Sequence, residues 1–380
     1  MTAAYSSRII EIFIGILCSV VGQKPSYFPE DYDHYEKEIL LLARRQEMTH
    51  LLYYAYTKLG RDIPEELEQI FLQQVGRDKR NQFLLEKTKE IFQKSGIQYV
   101  PLKGSVTKEL YPESWMRSGC DIDILVHESS LNNAVRALVQ EGFSTDYKKA
   151  FHDITLSYGG ATLELHYNIC ENIPRLDKGL SEVWKNVVLF DKCEFRETPE
   201  FLAFHTTMHL LYHLIKGGCN IKAFIDLWLM RKQKTYDEQK LYALLKKNRF
   251  ERFYRQLYEA IGVWFEGKNA TEVSTQLEKL VLLGGLSENK QIERADIVLS
   301  GGTIKYIWSS FFLPYSDMLW IYPRLRKYPL LLPYYYGKRF FIKIFGEERQ
   351  KTEKQIYEAL HIKDKQNTEL IDLMMKLGLD

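Results

Sequence analysis

The sequence predicts an α+β fold in which a mixed sheet with packed helices is flanked by helical regions on both the N-terminal and C-terminal sides. Helical periodicity runs from Tyr35 to about Ser95, strand-forming segments then alternate with helices as far as Tyr167, and helical periodicity returns after Pro199. The expected divisions are therefore 1–95, 96–198 and 199–380, with a distinct basic aromatic segment at 308–345.

Near the N terminus, Arg8 is followed by IIEIFIGILCSVV. Glu11 interrupts this run, which falls far short of the roughly 20 apolar residues a membrane span needs, so a docked amphipathic helix is expected. EKEILLLARRQEMTHLLYYAYTKLG carries apolar residues at three- and four-residue spacing and stops at Gly60. A further one or two helices begin near Pro64 and end at Gly96. IQYVPL reads as the first strand, Ser105 to Tyr111 as a helix, DIDILV as the second strand, and Ser129 to Val139 as a helix that stops before Gly142. FSTDYKKAFHDITLSY and GATLELHY read as further strands, with Gly159-Gly160 as a tight turn between them.

A chain of 380 residues with 45% hydrophobic residues can fill a sizeable core. Its net charge of +2 gives no global electrostatic case for nucleic-acid binding. Cys18, Cys120, Cys170, Cys193 and Cys219 form no CxxC pair and are odd in number, which argues for a reducing, cytoplasmic setting and against disulfides or structural zinc. Cys120 reads as a small residue beside Asp121. No transmembrane segment is expected.

Chemistry concentrates between Leu102 and Val126, LKGSVTKELYPESWMRSGCDIDILV. Side chains alternate along an extended strand, so Asp121 and Asp123 emerge on one face. Two carboxylates there repel unless a positive group sits between them, and a hard cation with oxygen ligands, above all magnesium, is the common solution. Gly104 lets the backbone approach a ligand, and Ser105 opens a helix whose N-terminus attracts phosphate. Lys103 adds a point charge and Arg117 a planar fork suited to phosphate oxygens. An anion site beside a cation site points to metal-assisted phosphoryl chemistry.

These residues resemble the nucleotidyltransferases of the DNA polymerase β superfamily, whose signature is a Gly-Ser turn, a helix and an Asp-x-Asp strand. The match is closest to a bacterial family of uncharacterised nucleotidyltransferases with a Leu-Lys-Gly turn, an Arg before Asp-Ile-Asp and a downstream Leu-His segment. The resemblance covers roughly residues 30 to 345, its specific motifs being Leu102–Val126 and Thr162–His166, and the interval from Ser105 to Asp121 is longer than the superfamily usually shows.

The resemblance implies a polymerase β-like core and a third carboxylate on a neighbouring strand; alternation in ATLELHY selects Glu164, which shares a face with Thr162 and His166. It further implies transfer of an NMP group from a nucleoside triphosphate to a hydroxyl acceptor, with release of pyrophosphate and two Mg2+ ions, Mn2+ being an alternative. Asp121, Asp123 and Glu164 would bind metal, Glu164 would help remove the acceptor proton, and Lys103, Gly104, Ser105 and Arg117 would hold phosphates. Arg117 could instead pair with Glu113. The competing reading of the acidic residues is a solvated sheet face, and His166 is either a structural histidine or a substrate contact.

His205, His209 and His213 recur on one helical face, but Thr206 stands where a zinc peptidase would need glutamate, so helix packing is favoured, with His209 retained as a cleft candidate. Asp226, in IDLWLM, is read either as a wall of the cleft or as a buried acceptor. Residues 308–345 interleave aromatics with six cations, a pattern compatible with core packing, substrate binding or peripheral membrane contact. Small-molecule or protein hydroxyls are favoured as acceptors over long nucleic acid. The alternative class is a non-catalytic nucleotide-binding or toxin-neutralising interaction protein on the same fold.

Overall fold

A computed structural model describes the chain except residues 1–6, 26, 120, 147–151, 172, 216–218, 283–307, 309–310, 314, 347–348, 351–352, 354–371 and 380. The reading of Cys120 therefore lies outside the described residues. Two compact units are present, one made of Met1–Tyr212 with Cys219–Leu283 and the other of His213–Gly218 with Gly284–Asp380.

In the first unit α1 (Ser7–Val21), α2 (Tyr32–Arg45), α3 (Thr49–Leu59) and α4 (Glu65–Lys94) precede the sheet. The N-terminal helix docks on one side, burying Ile9, Ile10, Ile12, Phe13, Ile14 and Ile16 while Arg8 and Glu11 keep a polar stripe toward solvent. It packs on α2 and α3.

Strands β1 (Tyr99–Pro101), β2 (Asp121–Val126), β3 (Asp153–Tyr158), β4 (Ala161–His166), β5 (Val187–Asp191) and β6 (Glu194–Glu197) form one sheet of order β3-β4-β2-β1-β6-β5. β2 pairs antiparallel with β1 and parallel with β4. The β3–β4 hairpin turns through Gly159 and Gly160 at φ 57° and 76°, the left-handed pair that a two-residue hairpin requires. A β5–β6 hairpin, not foreseen from sequence, turns with Lys192 at φ 45°, where glycine would have signalled it.

The helix expected from Ser105 to Tyr111 is cut short. It is only α5 (Gly104–Thr107), continued by a 3-10 turn at Lys108–Leu110. Pro112 disfavours helical backbone at the residue before it, and Tyr111 is accordingly extended. α6 (Leu131–Gln140) follows β2. After the sheet come α7 (Pro174–Leu180), α8 (Pro199–Ile215), α9 (Lys222–Lys232), α10 (Glu238–Lys247), α11 (Glu251–Glu266) and α12 (Glu272–Val281).

A core cluster lies on one face of the sheet. Ile122, Ile124 and Val126 of β2 and Leu163 and Leu165 of β4 meet Leu84, Leu85 and Phe92 of α4 and Leu138 of α6. In the second unit α13 (Tyr315–Ile321) and α14 (Leu332–Phe345) are joined by 3-10 turns and gather around Met318, Leu325 and Tyr335.

Leu165 is fully buried beneath the site-bearing strand. Leu165→Ala is expected to destabilise the fold by roughly 2–5 kcal/mol, measured by chemical denaturation; a loss well below this would show that the sheet can close over the cavity.

Candidate active site

The apolar face of β2 determines where its acids point. With Ile122 and Ile124 in the core, Asp121 and Asp123 emerge on the other face. Parallel pairing sets Asp121 beside Thr162, Asp123 beside Glu164 and Leu125 beside His166, so Glu164 and His166 join the aspartates on that face. His166 Nε2 lies 3.1 Å from Asp123 Oδ1 and 3.6 Å from Glu164 Oε2.

Electrostatics follow from this packing. Burial alone would lower the His166 pKa, but its bonds to Asp123 and Glu164 outweigh burial and raise it to about 9, so the ring is a cation at neutral pH. Burial would likewise raise Asp123, yet the His166 hydrogen bond and charge hold its carboxyl well below the ordinary range. Asp121 is shifted upward, first by partial burial and then by repulsion from Glu164 and Asp123. Arg77 of α4 and Lys222 of α9 oppose that shift. Neither cation was identified from sequence, because each sits in a helix with nothing local to relate it to β2.

The Lys103 turn stands against the same strand, with the Leu102 amide donating to the Asp123 carbonyl at 3.0 Å. Lys103 adopts φ 25° and ψ −101°, an unfavourable backbone for a residue with a side chain. Its Nζ lies 2.9 Å from His209 Nδ1, which also lies 2.9 Å from Glu171 Oε1. Burial would raise Glu171, but the His209 bond and the Lys103 charge bring it down to about 2. Glu171 is a carboxylate that the sequence reading missed: it lies in the irregular stretch after β4, where no periodicity assigns it a face. His209 thus reaches the site, whereas His205 is buried against Glu197 at 2.7 Å, so the histidine stripe does not act as one group.

Two anion-site expectations change. The Ser105 amide, expected at a helix N-terminus, donates to the Leu102 carbonyl at 3.0 Å within a helix of only four residues. Arg117, expected to face phosphate or to pair with Glu113, instead directs Nε and Nη2 at Asp226, with contacts of 2.7 to 3.0 Å. Asp226 is 2% exposed and also accepts from Tyr111 at 2.7 Å and Thr107 at 3.5 Å, which makes it the buried acceptor rather than a cleft wall. Gly104 is required by the same packing: a Cβ there would fall 2.7 Å from Arg117 Nη1. His50 donates to the Met116 carbonyl at 2.9 Å and Gln74 to the Trp115 carbonyl at 3.1 Å, fixing the loop from which Arg117 projects.

Asp123, Glu164 and His166 bring their carboxylate and ring-nitrogen atoms within 4.8 Å of one another, the two carboxylates being the donors while the ring is protonated. Two carboxylates facing each other with only a protonated ring between them have the charge and hard oxygen donors that suit a divalent cation. A family model described as an uncharacterised nucleotidyltransferase matches residues 35–266, more than half of the chain, and ends before the 308–345 segment. Comparisons with curated proteins and with solved structures returned no match.

Asp226→Ala would leave the Arg117 charge buried without its partner, and a loss of roughly 3–5 kcal/mol in denaturant unfolding is expected. A loss under about 1 kcal/mol would mean that water replaces the carboxylate. A second expectation concerns His50, whose pKa burial lowers from 6.5 to about 4. The unfolded chain takes up that proton first as pH falls, so the stability present above pH 6.5 is lost progressively down to about pH 4, by about 3 kcal/mol. His50→Gln should show a correspondingly shallower acid decline in melting temperature, and an unchanged decline would assign it to other groups.

Proposed function

The chain belongs to the family of uncharacterised nucleotidyltransferases, and from that membership we propose that it transfers an NMP group from a nucleoside triphosphate to a hydroxyl acceptor. The observation that supports this most is the register that sets Asp123 opposite Glu164, with Asp121 on the same face and Lys103 against the strand. Asp121, Asp123 and Glu164 would hold Mg2+, and His166, by fixing Asp123 through Oδ1, keeps that carboxylate turned toward its neighbours. Bound there, the ion would neutralise charge on the phosphates and polarise the α-phosphorus.

The residues of the chain do the rest. Lys103 places its ammonium toward the charge that develops on the phosphates, and the His209–Glu171 pair orients it. Arg77 and Lys222 extend the cationic field beside Asp121 and suit the β- and γ-phosphates. Glu164 accepts the acceptor proton at a carboxylate oxygen as the hydroxyl oxygen bonds to the α-phosphorus. The bond from that phosphorus to the bridging oxygen breaks, and pyrophosphate leaves with the electron pair. Arg117 acts through Gly104, holding the turn that presents Lys103.

The test is calorimetric binding of the four nucleoside triphosphates with and without Mg2+. Metal-dependent binding to the wild-type chain, lost in an Asp121→Asn, Asp123→Asn double variant, is the expected result. Lys103→Ala should bind nucleotide yet slow pyrophosphate release by about 10²–10³-fold. Absence of binding by every triphosphate would favour the non-catalytic interaction protein instead.

A further inference from the structure

The second unit carries an unusual surface. Of the twenty exposed large hydrophobic side chains among the described residues, eleven fall within residues 308–345, a tenth of the chain, so the exposure is concentrated rather than scattered. Leu330, at the tip of the 3-10 turn before α14, is 94% exposed. Along α14 the exposed positions include Tyr334, Lys338, Phe341 and Phe345, spaced four, three and four residues apart and therefore on one face.

That helix carries apolar side chains outward as well as inward. Its outward face is largely aromatic, while Lys343 is buried with Nζ 5.5 Å from the centre of the Phe311 ring. Helix α14 contains no acidic residue, and residues 308–345 hold Arg324, Arg326, Lys327, Lys338, Arg339 and Lys343 against the single acid Asp317. The exposed rings are contiguous in places, with Phe341 and Phe345 5.1 Å apart and Trp308 and Phe312 5.0 Å apart. Arg324, Arg326 and Lys327, on the preceding turns, are exposed, with Lys327 Nζ 5.5 Å from the centre of the exposed Tyr328 ring.

We propose that this face docks on an anionic lipid surface, with Leu330, Tyr334, Phe341 and Phe345 entering the interfacial layer while the basic side chains meet phospholipid headgroups. Charge decides between occupants. A second copy would set two strongly basic patches against each other, whereas an anionic bilayer complements both the cations and the apolar tips. No described helix is long and apolar enough to cross a membrane, so contact would be peripheral.

The experiment is co-sedimentation of the full chain with phosphatidylcholine vesicles and with vesicles in which half of that lipid is replaced by phosphatidylglycerol. Binding to the anionic vesicles that weakens with added salt is expected, with Lys327→Ala and Lys338→Ala each lowering the partition coefficient roughly fivefold. Leu330→Ser, Phe341→Ser, Phe345→Ser together should abolish it. All the replaced side chains are exposed, so the melting temperatures should match the wild type; if the triple variant unfolds, the two lysine variants carry the test. Absence of sedimentation, equal binding to neutral and anionic vesicles, or a dimer that only the triple variant dissolves would each overturn the proposal.

Discussion

Parallel pairing between β2 and β4 is the constraint from which the site follows. It places Asp123 directly across from Glu164, a juxtaposition that is unfavourable without an intervening positive charge. A protonated His166 supplies such a charge. The pairing cannot slip by one residue, because Ile122, Ile124, Leu163 and Leu165 would turn outward and the acids would enter the core. Hydrophobic burial on one face of the sheet therefore holds an electrostatically costly arrangement on the other.

A second device anchors the loop that completes the site. Asp226 draws together Thr107, Tyr111 and Arg117 at a single buried carboxylate, joining helix α9 to both sides of the interval between α5 and β2. The guanidinium then packs beneath Gly104 and supports the turn from below. His50 and Gln74 brace the loop from the N-terminal helices, so those helices take part in shaping the centre.

The legible parts of this architecture are those in which local periodicity and chemistry agree. DIDI and ATLELH alternate, and once the resemblance implied a third carboxylate, period selected Glu164, which the sheet sets beside Asp123. What escaped was long-range pairing. Arg117 looks like a phosphate ligand until Asp226, 109 positions away, is found against it. Glu171 lies in irregular chain, and Arg77 and Lys222 sit in helices whose periodicity says nothing of a distant strand. The β5–β6 hairpin is hidden because a lysine occupies its left-handed position, and the shortness of α5 because its one signal is the extended backbone that Pro112 favours at Tyr111.

The backbone at Lys103 has a consequence for how this protein could be changed. Its φ of 25° is one that glycine adopts freely and lysine only at a cost of roughly 1–3 kcal/mol. A search for thermostable variants would thus be drawn to Lys103→Gly, the replacement that relaxes the turn and also deletes the ammonium beside His209. With Lys103 in its proposed role, robustness and activity are opposed at one codon, and variants ranked by heat resistance alone would be enriched in protein that lacks this ammonium.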